Sequence, residues 1–180
     1  MSSVGLSPSE LRRVWRIVTW AGLLGSVYYI ICVFGAPRIK FLTELKATAE
    51  DFGWIAGLGS LALVFQILGS VLNNRVERRK PLWLALTVAH RLLFFAVLAT
   101  PLLFADERWR MLWIILILFG HDALVQVAVP IWLTWMTDLL PTESMTRHWA
   151  TRQRFITAAN IAVMIAVAFA FHFFEANGRI

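Results

Sequence analysis

The chain has 180 residues, of which 59% are hydrophobic and 16% are charged, and its mean hydropathy is +0.68. A soluble domain of this length does not bury that much apolar surface, so the composition indicates an integral membrane protein. The net charge of +6 does not indicate nucleic-acid binding, because the basic residues cluster at the ends of hydrophobic spans. The single cysteine, Cys32, excludes an intramolecular disulfide.

Five hydrophobic stretches have the length of transmembrane helices and predict an all-α bundle that forms a single membrane domain over residues 1–180. The predicted spans are Val14–Ala36, Phe52–Leu72, Leu82–Phe104, Trp109–Leu140 and Phe155–Phe174. Two of them follow clear start signals. Ser7-Pro8-Ser9-Glu10 has the pattern of a capping box, and Thr48 stands before two acidic residues.

The distribution of lysine and arginine predicts the orientation of the spans. Ten basic residues lie in the N-terminal segment, the second-third loop and the fourth-fifth loop, whereas six, including Arg179, lie on the other side. By the positive-inside rule the N-terminus is cytoplasmic and the C-terminus lies outside. The expected location is a plasma membrane or a bacterial inner membrane. Most tryptophans fall near the predicted span ends, as in an aromatic belt.

Few polar side chains lie at membrane depth, and ionisable groups there usually have a function. The candidates for a substrate or proton pathway are Tyr28, Tyr29, Gln66, His121, Asp122, Gln126 and Asn160. The charge of a histidine or an aspartate can change at accessible pH when its surroundings shift it. His121-Asp122 is therefore either a proton-coupling or substrate site, or a structural bridge between spans three and four.

Arg91 in span three and Asp122 in span four are predicted at the same depth, each about 14 Å from the cytoplasmic edge of a ~30 Å core. An unpaired charge at this depth costs roughly 2.5–3.5 kcal/mol on insertion scales. We therefore hypothesise an Arg91–Asp122 ion pair. Asp122 and Gln126 are four residues apart and are predicted to share one helix face.

Small residues recur at helical spacing in spans one and two, for example at Gly59 and Gly69. Such stripes favour close packing of helices in lipid. The alternative is a polar cavity between the helices, with Tyr28, Tyr29 and Gln66 as hydrogen-bonding groups.

The sequence contains no phosphate-binding loop, dinucleotide fingerprint or hydrolase triad, so neither enzymatic activity nor a cofactor is expected. His121-Asp122 lacks the companion ligands that a metal site needs. An intramembrane enzyme that uses His121 and Asp122 is the weakest of the readings.

The loop between spans two and three carries a basic motif. In Gly69–Lys80 a small residue, Ser70, is followed by Asn74-Arg75 and then by Arg78-Arg79. This pattern resembles the cytoplasmic signature between helices two and three of the major facilitator superfamily. The family usually has Asp at the position of Asn74 and Gly at that of Glu77. The resemblance extends to Phe41–Ile55 and to Asp138–Pro141, which is followed by Arg147 and Arg152.

The resemblance implies the first five helices of a twelve-helix transporter that moves small solutes by alternating access, often with protons. It places Tyr28, Gln66, Asp122, Gln126 and Asn160 on a central cavity. It gives Ser70, Asn74, Arg75, Arg78 and Arg79 a gating or structural role, and Arg91 a structural one. The expected partners are the lipid bilayer, a small solute and, because the family has further helices, a second chain that supplies them, unless the chain is truncated. The alternative is a small accessory or assembly protein without transport of its own.

Overall fold

A computed structural model describes residues 7–177, except for the side chains of residues 142 and 143. Helix accounts for 91% of the structure, and no strand occurs among the described residues. The predicted all-α fold is therefore confirmed. Arg179, which entered the orientation prediction, lies outside the described residues.

The helices follow one another with short connections. They are α1 (Pro8–Tyr28), a π-helical segment (Tyr29–Phe34), α2 (Ala36–Glu44), α3 (Ala49–Leu61), a 3₁₀ segment (Ala62–Val64), α4 (Phe65–Arg75), α5 (Arg79–Leu103), α6 (Glu107–Leu139) and α7 (Thr142–Ala176). Five stretches of the described chain are long and apolar enough to cross a membrane: Pro8–Glu44, Ala49–Arg75, Arg79–Leu103, Glu107–Leu139 and Ser144–Ala176. Each contains most or all of one predicted span, and most extend beyond it by several residues.

Both predicted start signals form capping boxes. At α1, the Ser7 hydroxyl accepts the backbone N–H of Glu10 at 3.3 Å, and the Glu10 carboxylate accepts the N–H of Ser7 at 2.8 Å. At α3, Thr48 and Asp51 make the same exchange at 3.3 and 2.7 Å. Each box satisfies N–H groups that a helix start otherwise leaves without a partner.

Two predicted spans contain irregular turns that the hydropathy pattern does not reveal. The first span changes from α-helix to π-helix at Tyr29 and ends in extended backbone at Gly35. A methyl group at Gly35 would collide with the carbonyl oxygen of Ile30, so only glycine fits this tight exit. The second span passes through the 3₁₀ segment between α3 and α4.

The helices group into two compact units, which are described separately, and the single membrane domain stays a prediction. Unit 1 comprises Met1–Phe41 and Leu140–Ile180, and unit 2 comprises Leu42–Leu139. In unit 1, α1 packs against α7, and in unit 2, α6 packs against α3, α4 and α5. Helix α6 carries the largest share of the buried residues, including Ile114 and Ile131, which are fully buried.

The pairs of contacting residues give the directions of the helices in unit 2. Contacts of α4 with α6 join Gln66 to Gln126 and then Asn73 to Thr134, so these two helices run parallel. Helix α5 runs antiparallel to α6, as a short hairpin requires. Trp83 lies against Trp135 at one end of the hairpin, and Phe104 lies against Trp113 at the other.

Candidate functional site

Helix α6 carries a line of polar side chains on the side that packs against α3 and α4. The line consists of Asp122, Gln126, Thr134 and Asp138, which are separated by multiples of four residues. Residues four apart are neighbours on the surface of an α-helix, and each such step turns the row by about 40°, so these side chains form a polar stripe that winds slowly around α6. It extends for about 24 Å at 1.5 Å per residue. We call it the α6 polar stripe.

Amide and hydroxyl groups bind the middle of the α6 polar stripe to α4. The Gln66 side chain donates its Nε2–H to Oε1 of Gln126 at 2.7 Å. About two turns further on, Asn73 donates from Nδ2 to the Thr134 hydroxyl at 3.2 Å. Thr134 in turn donates to the backbone carbonyl of Pro130 at 3.0 Å. The predicted candidates Gln66 and Gln126 are thus brought together.

Asp122 is the first residue of the α6 polar stripe, and the residue before it in the chain, His121, contacts it. His121 is 1% exposed, and its Nδ1 lies 2.8 Å from Oδ1 of Asp122. An ionised carboxylate only accepts hydrogen bonds, so Nδ1 carries the proton in that state. The other carboxylate oxygen, Oδ2, faces α3, where a Cβ on Gly59 would come within 3.1 Å of it. The absence of a side chain at Gly59 therefore leaves the carboxylate room between α3 and α6.

Two rings of α5 enclose His121 on its other side. The rings of His90 and Phe94 both stand edge-on to it, at centroid distances of 5.0 Å. His90 is itself buried, at 5% exposure. Two imidazoles and a carboxylate therefore form one cluster, which we call the His90–His121–Asp122 cluster.

The hypothesis of a direct Arg91–Asp122 ion pair is not supported. Asp122 instead pairs with His121, and Arg91 lies on the exposed side of α5. The reason is the pitch of the helix: successive residues are rotated by about 100°, so only one of His90 and Arg91 can face α6. The Arg91–Asp122 ion pair therefore stays a prediction. The missed residue, His90, falls in a three-four pattern with Thr87, Phe94 and Val97 that marks the buried face.

At its other end, the α6 polar stripe reaches Asp138, which lies close to the basic loop between the second and third spans. Arg79 donates from Nε to Oδ1 of Asn73 at 2.9 Å, and its guanidinium also pairs with the carboxylate of Asp138. Asn73 was not among the predicted residues, although it is 8% exposed and bridges Arg79 to Thr134. We call these four residues the Arg79–Asp138 cluster.

The other residues predicted for a gating or structural role lie outside this cluster. The Ser70 hydroxyl donates to the carbonyl of Gln66 at 2.9 Å. Asn74, Arg75 and Arg78 are exposed. Of the predicted basic residues in the loop, the structure therefore connects Arg79 to the α6 polar stripe.

A cavity opens at the end of unit 2 where α3 and α6 begin. It has a volume of 620 Å³, a rim of charged residues of both signs that includes Glu50 and Arg108, and an apolar floor that includes Leu116. Leu116 is six residues from Asp122 on α6, which corresponds to about 9 Å along the helix axis. The cavity and the Arg79–Asp138 cluster thus lie towards opposite ends of α6, with the His90–His121–Asp122 cluster between them.

The remaining candidates belong to unit 1. The rings of Tyr28 and Tyr29 meet edge-on at 5.6 Å, where α1 passes into the π-helical segment, and Tyr29 stacks on Phe34 at 5.7 Å. Asn160 on α7 has a buried Oδ1 with no hydrogen-bond partner among the described residues. That these side chains line one cavity with Gln66 and Asp122 stays a prediction.

These features define a class of protein: a membrane-embedded, polytopic α-helical protein that holds polar and ionisable side chains between its helices. The described residues contain no group of three or more His, Cys, Asp or Glu side chains that could hold a metal ion. Comparison of the chain with protein-family models, with curated proteins and with solved structures finds no match.

Proposed function

We propose that the chain is part of a membrane transporter that moves small solutes by alternating access and couples their movement to protons. The observation that carries the proposal is the buried His90–His121–Asp122 cluster, halfway along a membrane-spanning helix. Ionisable groups at such depth are expensive to insert and usually mark the path of a substrate, an ion or a proton. Aspartate and histidine can both bind and release a proton.

The surroundings of the cluster support a solute site as well as a proton site. The amides of Gln66 and Gln126 lie one turn from Asp122 and present both donors and acceptors. Their mutual hydrogen bond is one that a polar solute can replace without leaving either amide unsatisfied. The side chain of Asp122 is only partly buried, so its second carboxylate oxygen is available to a ligand that approaches from α3.

The two ends of α6 support alternating access. At one end the 620 Å³ cavity leads inwards to within about two turns of Asp122. At the other end the Arg79–Asp138 cluster ties α4, α5 and α6 together across the α6 polar stripe. Breaking and remaking a partly exposed ion pair costs little, which suits a contact that opens during a transport cycle.

The resemblance to the major facilitator superfamily adds the orientation. Together with the positive-inside rule, the resemblance supports an orientation with the Arg79–Asp138 cluster on the cytoplasmic side of a plasma membrane or bacterial inner membrane. Further helices, from the same gene or from a second chain, would complete the transport path. Large exposed apolar side chains, such as Phe95 and Ile67, are available for contact with lipid or with such helices.

The second candidate function is an accessory or assembly protein that does not transport. The packing of α4 on α6 favours this second function, because close packing is what a purely structural role requires. Gly69 is buried directly against the backbone of α6 at Val127. In this reading the polar side chains only specify which helices pack together. The Gln66–Gln126 pair then acts as an interhelical hydrogen bond in lipid.

Uptake by reconstituted protein separates the two functions. The chain is purified with any subunit that remains attached and is placed in liposomes with an inward proton gradient. Entry of a panel of radiolabelled sugars, amino acids and organic acids is then measured. The transporter reading predicts uptake of at least one class, its loss in Asp122→Asn and its retention in Glu175→Gln, an exposed acid on α7 that does not line the cavity. No uptake of any class, or equal uptake in both variants, contradicts the proposal.

A further inference from the structure

Unit 1 holds a second group of polar side chains, at the N-terminal ends of α1 and α7. Trp15 of α1 stacks on His148 of α7, with ring centroids 5.3 Å apart and planes inclined by 20°. Further along both helices, Arg152 donates from Nε to the carbonyl of Val18 at 3.5 Å. Residue numbers rise together along α1 and α7, so the helices run parallel and their first turns lie on the same side.

Two polar atoms in this group are buried with no hydrogen-bond partner among the described residues. They are Nε1 of Trp15 and Nε2 of His148, and His148 as a whole is 6% exposed. Buried polar atoms nearly always have a partner, which can be protein, solvent or a ligand. An indole N–H can only donate, so the missing partner of Trp15 must be an acceptor.

Arg152 follows His148 by one helical turn on α7, and Gly22 of α1 makes room for its guanidinium. A Cβ on Gly22 would lie 2.7 Å from the guanidinium carbon, which is too close for any other residue to stand there without displacing the arginine. The guanidinium also lies over the ring of Trp149, with its carbon 5.2 Å from the ring centroid. A half-buried guanidinium held on two sides offers a planar fork of donors to an oxyanion.

We propose that Trp15, His148 and Arg152 form a binding site for a phosphate group, carried either by an anionic lipid headgroup or by free phosphate. An indole N–H, an imidazole N–H and a guanidinium all donate to such a group. Exposed arginines near the N-terminal ends of the same two helices raise the local concentration of anions: Arg12, Arg13, Arg16 and Arg147. The site does not involve Asp122 and does not depend on the proposed transport activity.

Lipid retention measured by native mass spectrometry tests the proposal. The purified chain in detergent is titrated with dioleoyl phosphatidylglycerol and, in parallel, with dioleoylglycerol, which lacks the phosphate. The wild-type chain is expected to bind the first and not the second. Arg152→Gln should weaken binding of phosphatidylglycerol about tenfold, as expected for loss of a charged hydrogen bond. Arg154→Gln is the matched control and should change it less than about twofold.

Two further arms identify the source of the phosphate and guard against misfolding. If inorganic phosphate displaces the lipid, the ligand is the free anion; if it does not, the ligand is the lipid headgroup, and both results agree with the site. Trp15→Phe keeps the stacked ring but removes the N–H, and should weaken binding about fivefold. Equal losses in Arg152→Gln and Arg154→Gln, no loss in Trp15→Phe, or equal binding of dioleoylglycerol would overturn the proposal.

Discussion

Replacement of Gly69 by alanine tests the close approach of α4 to α6. A Cβ at this position would lie 2.7 Å from Cγ of Pro130 and 3.0 Å from the carbonyl carbon of Val127, and it would be closer still to the Val127 oxygen. Ordinary van der Waals contact begins at 3.4 Å. Two of these atoms belong to a helix backbone that cannot move alone, so the helices have to separate by several tenths of an ångström.

The expected cost of Gly69→Ala is that of overpacking, about 1–3 kcal/mol. Alanine also gains about 0.5–1 kcal/mol over glycine in a helix interior, which partly offsets this cost. Gly57→Ala is the matched control, because a Cβ at Gly57 meets no atom within 4 Å and gains the same helix propensity. The difference between the two variants therefore isolates the steric term.

Thermal unfolding in detergent, followed by the loss of monodisperse protein on size exclusion, measures this difference. For a chain of this length 1 kcal/mol corresponds to roughly 2–4 °C in Tm. Gly69→Ala is expected to melt at least about 2 °C below Gly57→Ala. If the two variants melt at the same temperature, the close contact of α4 with α6 does not exist in solution.

Three further predictions concern the α6 polar stripe and the orientation of the spans. Gln126→Leu leaves the amide of its partner on α4 unsatisfied and should lower the free energy of unfolding by about 1–3 kcal/mol, whereas replacing both glutamines by leucine should restore most of it. In a double-mutant cycle, Arg79→Gln and Asp138→Asn should show a coupling of about 0.2–1 kcal/mol, because the pair is partly exposed; strictly additive effects would exclude the ion pair. In a chain with Cys32→Ala, a cysteine at Lys46 should react with an impermeant maleimide in intact cells and one at Ser9 should not; the reverse pattern would invert the topology.

The five spans and both helix starts were predictable because their signals are local. Hydropathy over about 20 residues depends only on composition, and a capping box depends on residues three apart, as at Ser7 and Thr48. The pairing of Gln66 with Gln126 could be anticipated as two polar residues in neighbouring spans. Whether the two side chains meet depends on how α4 and α6 are rotated about their axes, because each helix has to turn its glutamine towards the other helix.

The residues that the sequence analysis missed depend on helix rotation and on long-range packing. His90 and Arg91 are adjacent, and charge alone favoured the arginine, although the apolar pattern of α5 turns His90 towards His121. Asn73 lies within the segment that resembles the transporter signature but at none of the signature positions, yet its burial and its hydrogen bonds place it at the centre of the Arg79–Asp138 cluster. The π-helical turn at Tyr29 leaves no mark in the hydropathy pattern, because it changes the hydrogen bonding and not the composition.

The most direct test of the proposed function is proton movement in liposomes that contain the pH-sensitive dye pyranine. With a transported solute supplied outside and no imposed gradient, the account predicts that the interior of wild-type liposomes acidifies as the solute enters. It also predicts that Glu175→Gln liposomes behave in the same way and that Asp122→Asn liposomes show no change. Acidification that persists undiminished in Asp122→Asn would contradict the assignment of the His90–His121–Asp122 cluster as the proton-coupling site.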